Sequence, residues 1–212
     1  AVWLTVMSPT CGKRISESHL TVICGLGMGQ ISEKILKNVL KNVSCPCVID
    51  ADGLNLLSRN IELLNQCCAP VILTPHMKEM SRLTGWSIDT IMEDRFQALD
   101  QIIKQSGPDT KSSIICALKD SRTVVAQTNR QRFVNLAGNN SMAKGGSGDV
   151  LAGTIAGLLA QHMVPFEAAT VGVFLHACGG DEAKKSKGSY SVLARDLIQG
   201  MADAMKNAKE CR

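Results

Sequence analysis

Aromatic residues make up only 3% of this 212-residue chain, so small aliphatic side chains have to fill its core. No apolar run reaches the roughly 18 residues a membrane helix needs, and no signal-peptide pattern opens the sequence. A dominant charge is missing too. The formal net charge of +4 is spread along the chain, and clusters such as "KRISE" and "KKSKG" lack interleaved aromatics. They read as solvated surface, not as a nucleic-acid tract. Cysteine is plentiful at nine, but no C-x-x-C pair occurs. That spacing suggests neither zinc nor a regular disulfide frame; buried reduced thiols in a cytoplasmic protein are expected. Internal repeats, low-complexity tracts and an evident linker are also absent, so residues 1–212 read as a single domain.

What is present is alternation. "AVWLTVMS" and "HLTVICGLG" have the apolar continuity of buried strands, and "ISEKILKNVLKNV" places Ile31, Ile35, Leu36, Val39 and Leu40 at helical spacing. "CPCVIDAD" reads as a strand ending in acids, "LNLLSRNIELL" as a helix and "APVILTPH" as a strand. "MKEMSRLTG" reads as a helix closed by Gly85, and "SIDTIMEDRFQALDQIIKQSG" as one helix running from Ser87 to Gly107. "SSIICALKD", "TVVAQ" and "QRFVNL" follow as strands, the last two paired around Thr128 to Arg130. Helices are expected over Asp149–Gln161, from Phe166 to about Ala183 and from Ser191 to about Lys209. This pattern predicts an α/β fold with a mainly parallel central sheet and helices on both faces.

Ligands in such sheets bind beyond the carboxyl ends of the strands, and polar residues collect there. Gly25, Gly27 and Gly29 follow one strand, and Asp50, Asp52 and Asn55 a second. Thr74, His76 and Glu79 follow a third, and Lys119 a fourth. Each also has a plainer reading. Glycine turns are common after strands, Asp50 and Asp52 can form turns or caps, and His76 can cap "MKEMSRLTG". His176, within "VGVFLHACGG", reads as a hydrogen-bonded core histidine.

"NSMAKGGSGDVLAG", Asn140 to Gly153, is more specific. Gly145, Gly146, Ser147 and Gly148 precede Asp149 at the start of an apolar helical run. A helix N-terminus offers free N–H groups and partial positive charge, and glycines let an anion such as phosphate approach them. An aspartate there opposes a resting phosphate. It fits a base that takes the proton from a hydroxyl about to meet that phosphate.

"NSMAKGGSGDVLAG", "VIDADGLNLL", "ILTPHMKEMSRLTG" and "LARDLI" together resemble the ADP/ATP-dependent NAD(P)H-hydrate dehydratases of the ribokinase-like superfamily. The resemblance runs from about Val2 to Leu197. It implies a repair enzyme that uses ADP or ATP to dehydrate hydrated NADH or NADPH. It places the hydrate against Gly27, His76 and Asp149, and the nucleotide against Lys119, Asp120, Ser121, Arg122, Thr123, Gly145, Gly146, Ser147 and Gly148. Glu79 falls where an acid orders Mg2+ and its waters. Three departures from the family pattern are visible: Lys119-Asp120 for Lys-Gly, "GLGMG" without its proline, and no strand–helix opening before "AVWLTVMS". The resemblance further implies a homo-oligomer and an associated NAD(P)H-hydrate epimerase. The competing reading is a ribokinase-like kinase that phosphorylates a hydroxymethyl or hydroxyethyl heterocycle and stops at the ester.

Overall fold

The computed structural model describes residues 21–23, 27–104, 113–128 and 131–210. The expected strand "AVWLTVMS", the turn at Gly25, the helix stop at Gly107 and the hairpin tip at Asn129–Arg130 lie outside these residues.

Six strands form one sheet in chain order. β1 (Thr21–Ile23), β2 (Cys47–Ile49), β3 (Val71–Leu73) and β4 (Ile114–Leu118) are parallel, and β5 (Val124–Gln127) and β6 (Arg132–Val134) extend the sheet antiparallel. Crossovers between parallel strands are right-handed, so a strand order that never reverses sends every connecting helix to one face. The core divides accordingly. Ile49, Leu73, Cys116 and Leu118 pack with residues of α1 (Gln30–Asn42), α2 (Asp52–Leu57), α3 (Met77–Thr84), α4 (Ile88–Glu93) and α5 (Arg95–Ile103). The alternate residues Val48, Ile72, Ile115 and Ala117 face α6 (Ser147–Ala160) and α7 (Pro165–Lys187). α8 (Ala194–Glu210) packs on α7. Both faces of the sheet are buried, which is why its strands read as unbroken apolar runs.

Two expected helices are each broken. "LNLLSRNIELL" gives α2 and a separate 3₁₀ turn at Ile61–Gln66, because Ser58 Oγ turns back to the Asn55 carbonyl at 2.8 Å and Asn60 takes φ −152°. The run from Ser87 divides into α4 and α5 at Asp94, whose carboxylate accepts the Gln97 N–H at 2.9 Å and starts a new helix. Ser87 and Gly85 hold the expected positions: Ser87 caps α4, and Gly85 closes α3 at φ 74°.

Candidate functional site

Parallel strands bring their carboxyl ends to one edge, and four of the marked segments meet there. β2 ends at Asp50, which is only 2% exposed. Its Oδ1 accepts from Thr74 Oγ1 at 2.8 Å and from Lys119 Nζ at 2.7 Å, so the ends of β2, β3 and β4 are joined through one carboxylate. Pairing resumes beyond β3 and β4: Lys119 N–H donates to the Pro75 carbonyl at 2.7 Å, and Lys119 lies beside His76 in a parallel bridge. Lys119 Nζ also lies 4.0 Å from Glu79 Oε2.

His76 takes the capping role. Its Nδ1 accepts the N–H groups of Lys78 at 3.1 Å and Glu79 at 3.2 Å, which places the ring proton on Nε2, 3.4 Å from Glu79 Oε1. Glu79 Oε2 accepts the His76 N–H at 2.8 Å in return, completing a capping box. Burial pushes the Glu79 carboxyl above its ordinary value, while the His76 N–H and the Lys119 charge pull it down. The His76 ring itself remains about half exposed.

Ala51 takes φ 50° and ψ −118°, a conformation that costs a non-glycine residue on the order of 1–3 kcal/mol. The sharp turn sends its acidic neighbours in different directions. Asp50 stays at the sheet end, while Asp52 Oδ2 accepts the N–H of Gly27, itself at φ 71°, at 3.0 Å. Asn55 Oδ1 accepts from Arg82 Nη1 at 2.6 Å.

The glycine segment closes over this group. α6 starts at Ser147, two residues earlier than expected, behind Gly146 at φ 87°; it has no side-chain cap, and its Ser147 N–H donates to the Lys144 carbonyl at 3.2 Å. Asp149 is therefore in the first turn, and it is exposed. A Cβ placed on Gly148 would stand 3.3 Å from Lys119 Nζ and 3.5 Å from Asp50 Oδ2, so the helix mouth lies directly against the ion pair. Beside it lies an open cavity of about 410 Å3, lined by Asp149, Val150, Thr154, Ile198 and Met201 among others.

Lys119, Asp120, Ser121, Arg122 and Thr123 form the β4–β5 turn at the same edge. Asp120 is paired with Arg95 at 2.8 Å, and Arg122 Nη1 donates to the Leu136 carbonyl at 3.2 Å. Three connections have no local signature in the sequence because their partners are remote. His176 Nε2 lies 3.3 Å from Ser147 Oγ, and Asp181 accepts from the Gly138 N–H at 3.0 Å and from Asn139 Nδ2 at 2.7 Å. The one available signal was the pair of acids in "GGDEA", where the helical run turns from apolar to charged.

A mixed sheet with helices on both faces and a glycine-rich helix mouth at its carboxyl edge defines a ribokinase-like α/β protein. Residues 5–202 match the family described as NAD(P)H-hydrate dehydratase, and the chain belongs to that family. The bifunctional NAD(P)H-hydrate repair enzyme Nnr of Moorella thermoacetica is 37% identical over 93% of this chain and 36% of its own length. The ADP-dependent (S)-NAD(P)H-hydrate dehydratase of Neisseria meningitidis is 37% identical over 92% of this chain and 65% of its own. A Bacillus subtilis ADP/ATP-dependent NAD(P)H-hydrate dehydratase, crystallised with ATP/Mg2+ and soaked with CoA, superposes with TM-score 0.73 at 26% identity, covering 90% of this chain and 66% of that one. The chain thus spans about a third of the bifunctional relative and about two thirds of the Neisseria one.

Proposed function

We propose that this chain carries the dehydration step of nicotinamide-nucleotide repair: ADP- or ATP-dependent conversion of hydrated NADH or NADPH to the reduced cofactor. The observation that carries this reading is Gly148 seated against the Lys119–Asp50 pair with Asp149 exposed beside it. That arrangement brings an anion hole, a cation and a base to one spot. Family membership supports the substrate class.

The hydroxyl of a hydrated nicotinamide ring is a poor leaving group. Asp149 takes its proton as the oxygen attacks the terminal phosphorus of the nucleotide, and the bond from that phosphorus to the bridging oxygen breaks. Within Gly145 to Gly148 the Ser147 N–H already donates to the Lys144 carbonyl at 3.2 Å, so the N–H groups of the three glycines hold the transferred phosphoryl group, an arrangement worth about 3–4 kcal/mol per donor in comparable oxyanion sites. Ring-nitrogen electrons then expel phosphate, and a proton lost from the adjacent ring carbon restores the double bond. Gly27 and His76 border the hydrate, and Lys119 to Thr123 border the nucleotide; His76 keeps its cap while its exposed ring face meets the substrate.

Mg2+ favours waters and phosphate oxygens, with one or two carboxylates. Among the described residues no group of three or more metal-binding side chains occurs, and Asp50 Oδ1 and Glu79 Oε2 already have partners. The residues therefore fit an ion that arrives with the nucleotide and meets Glu79 through water. When bound it would neutralise phosphate charge.

We further propose a homo-oligomer acting in the cytoplasm, alongside an epimerase that supplies the correct hydrate epimer. Among the described residues Cys47, Cys67, Cys68, Cys116 and Cys178 are free thiols, in keeping with a reducing compartment. Among the described residues no helix is long and apolar enough to cross a membrane.

The test is incubation with hydrated NADH, magnesium and ADP or ATP, followed by the absorbance of reduced nicotinamide. Recovery of that absorbance is expected. Asp149→Asn should still bind nucleotide but lose at least about two orders of magnitude in turnover, since an amide accepts no proton. A mutant kcat near the wild-type value would remove Asp149 as the base, and accumulation of a stable phosphate ester would favour a kinase instead.

A further inference from the structure

Gly145, Gly146 and Gly148 supply most of the α6 mouth, and glycine has more backbone freedom to lose than any other residue. A floppy anion hole stabilises nothing, because its donors must already point at the developing charge. α6 has no side-chain cap to fix this turn. Its constraints come from elsewhere. Gly146, though exposed, has Ala194 against it, since a Cβ added there would stand only 3.1 Å from Ala194 Cβ, and Gly148 abuts Lys119.

Between these two glycines stands Ser147, the first residue of the helix, with Oγ 3.3 Å from His176 Nε2. His176 lies within the 23-residue α7, and its residue is only 8% exposed. Burial lowers its pKa to about 4; the Ser147 backbone acts the other way, and the Lys119 charge adds to the lowering. The ring is thus uncharged at neutral pH and brings no charge to a phosphate. What it can supply is a fixed hydrogen-bond partner on a rigid helix.

We infer that His176 is a positioning residue: its hydrogen bond to Ser147 holds the mouth of α6 in the geometry that receives the phosphates of the nucleotide. This rests on the nucleotide-dependent reading above. The serine side chain is turned inward to α7 and its own N–H donates to the Lys144 carbonyl at 3.2 Å, leaving the N–H groups of the flanking glycines for the ligand.

Calorimetric titration of the full chain with Mg-ADP and Mg-ATP tests it. His176→Leu keeps the bulk and removes the partner, and its Kd is expected to rise about tenfold. Ser147→Ala should weaken binding by a similar factor, and the double substitution should add little, because both remove one bond. His176→Gln can place an amide nitrogen near the position of Nε2, and rescue to within about threefold is expected. Rescue separates positioning from packing, since glutamine restores the hydrogen bond without restoring the ring. Should His176→Leu fail to fold, Ser147→Ala reads the same bond from its other end. Wild-type binding with unchanged affinity in Ser147→Ala, or additive losses in the double variant, would overturn the inference while leaving the dehydratase reading in place. A wild type that binds neither nucleotide overturns both.

Discussion

At the scale of single residues, Lys119 and Asp50 are coupled more tightly than their separate roles suggest. The Asp50 side chain is 3% exposed and that of Lys119 is 19% exposed, and 2.7 Å separates Nζ from Oδ1. Removing the lysine strands a buried carboxylate, which costs more than the pair gains from being present. Lys119→Met should therefore destabilise the protein by about 3 kcal/mol or more. Asp50→Asn in the same chain should recover part of that loss. Denaturant unfolding measures both, and equal midpoints for wild type and Lys119→Met would show that the pair carries no weight. The residue types were legible in the sequence because strands of a parallel sheet end together, so acids and a lysine after successive strands had to converge. Their pairing was not legible: 69 positions separate Lys119 from Asp50, and no local pattern links them. Ala51 was hidden for a different reason, since nothing in "DAD" announces a positive φ at alanine.

Among elements, the helices were found more reliably than their breaks. Apolar spacing continues across Asp94, and only the capping geometry of its side chain shows that one helix has become two. α7 is buried at Ala168, Val173, Ala177 and Ala183 and carries glycines where neighbours approach. A Cβ on Gly172 would meet Ile155 Cγ1 of α6 at 2.7 Å, and one on Gly200 of α8 would meet the Gly179 carbonyl oxygen at 2.1 Å. The second contact is backbone against backbone, so no side chain can rotate away. Gly200→Ala has to push α8 off α7, and overpacking of this kind typically costs about 1–3 kcal/mol. Ile198 and Met201, from the same helix, line the cavity beside Asp149. The variant is therefore expected to lose turnover as well as stability. Thermal melting and steady-state kinetics on one preparation check this, and an unchanged melting temperature would show that the seam is loose.

For the whole molecule, the sheet and its two helical layers place one imidazole where water scarcely reaches it, and this makes stability depend on pH. Unfolded, His176 titrates near its ordinary value of about 6.5; folded, burial holds it at about 4. As pH falls below about 6.5, the unfolded chain takes up a proton that the folded chain refuses. His176 therefore leaves stability intact above that value and erodes it down to about 4, by at most about 3.5 kcal/mol at about 1.4 kcal/mol per unit. Glu79 acts in the opposite sense. Burial raises its carboxyl, so the folded state binds that proton the more readily, and its contribution is present at low pH and lost as pH rises through the folded value. Part of the His176 slope is thus offset toward the acid end of the window. The measurable expectation is a wild-type unfolding free energy that falls as pH drops from about 6.5 toward 4, with a clearly flatter profile for His176→Leu, which has nothing to protonate at that position. Parallel profiles for the two proteins would mean that another group carries the acid sensitivity, and that the imidazole behind Ser147 is better hydrated than its burial implies.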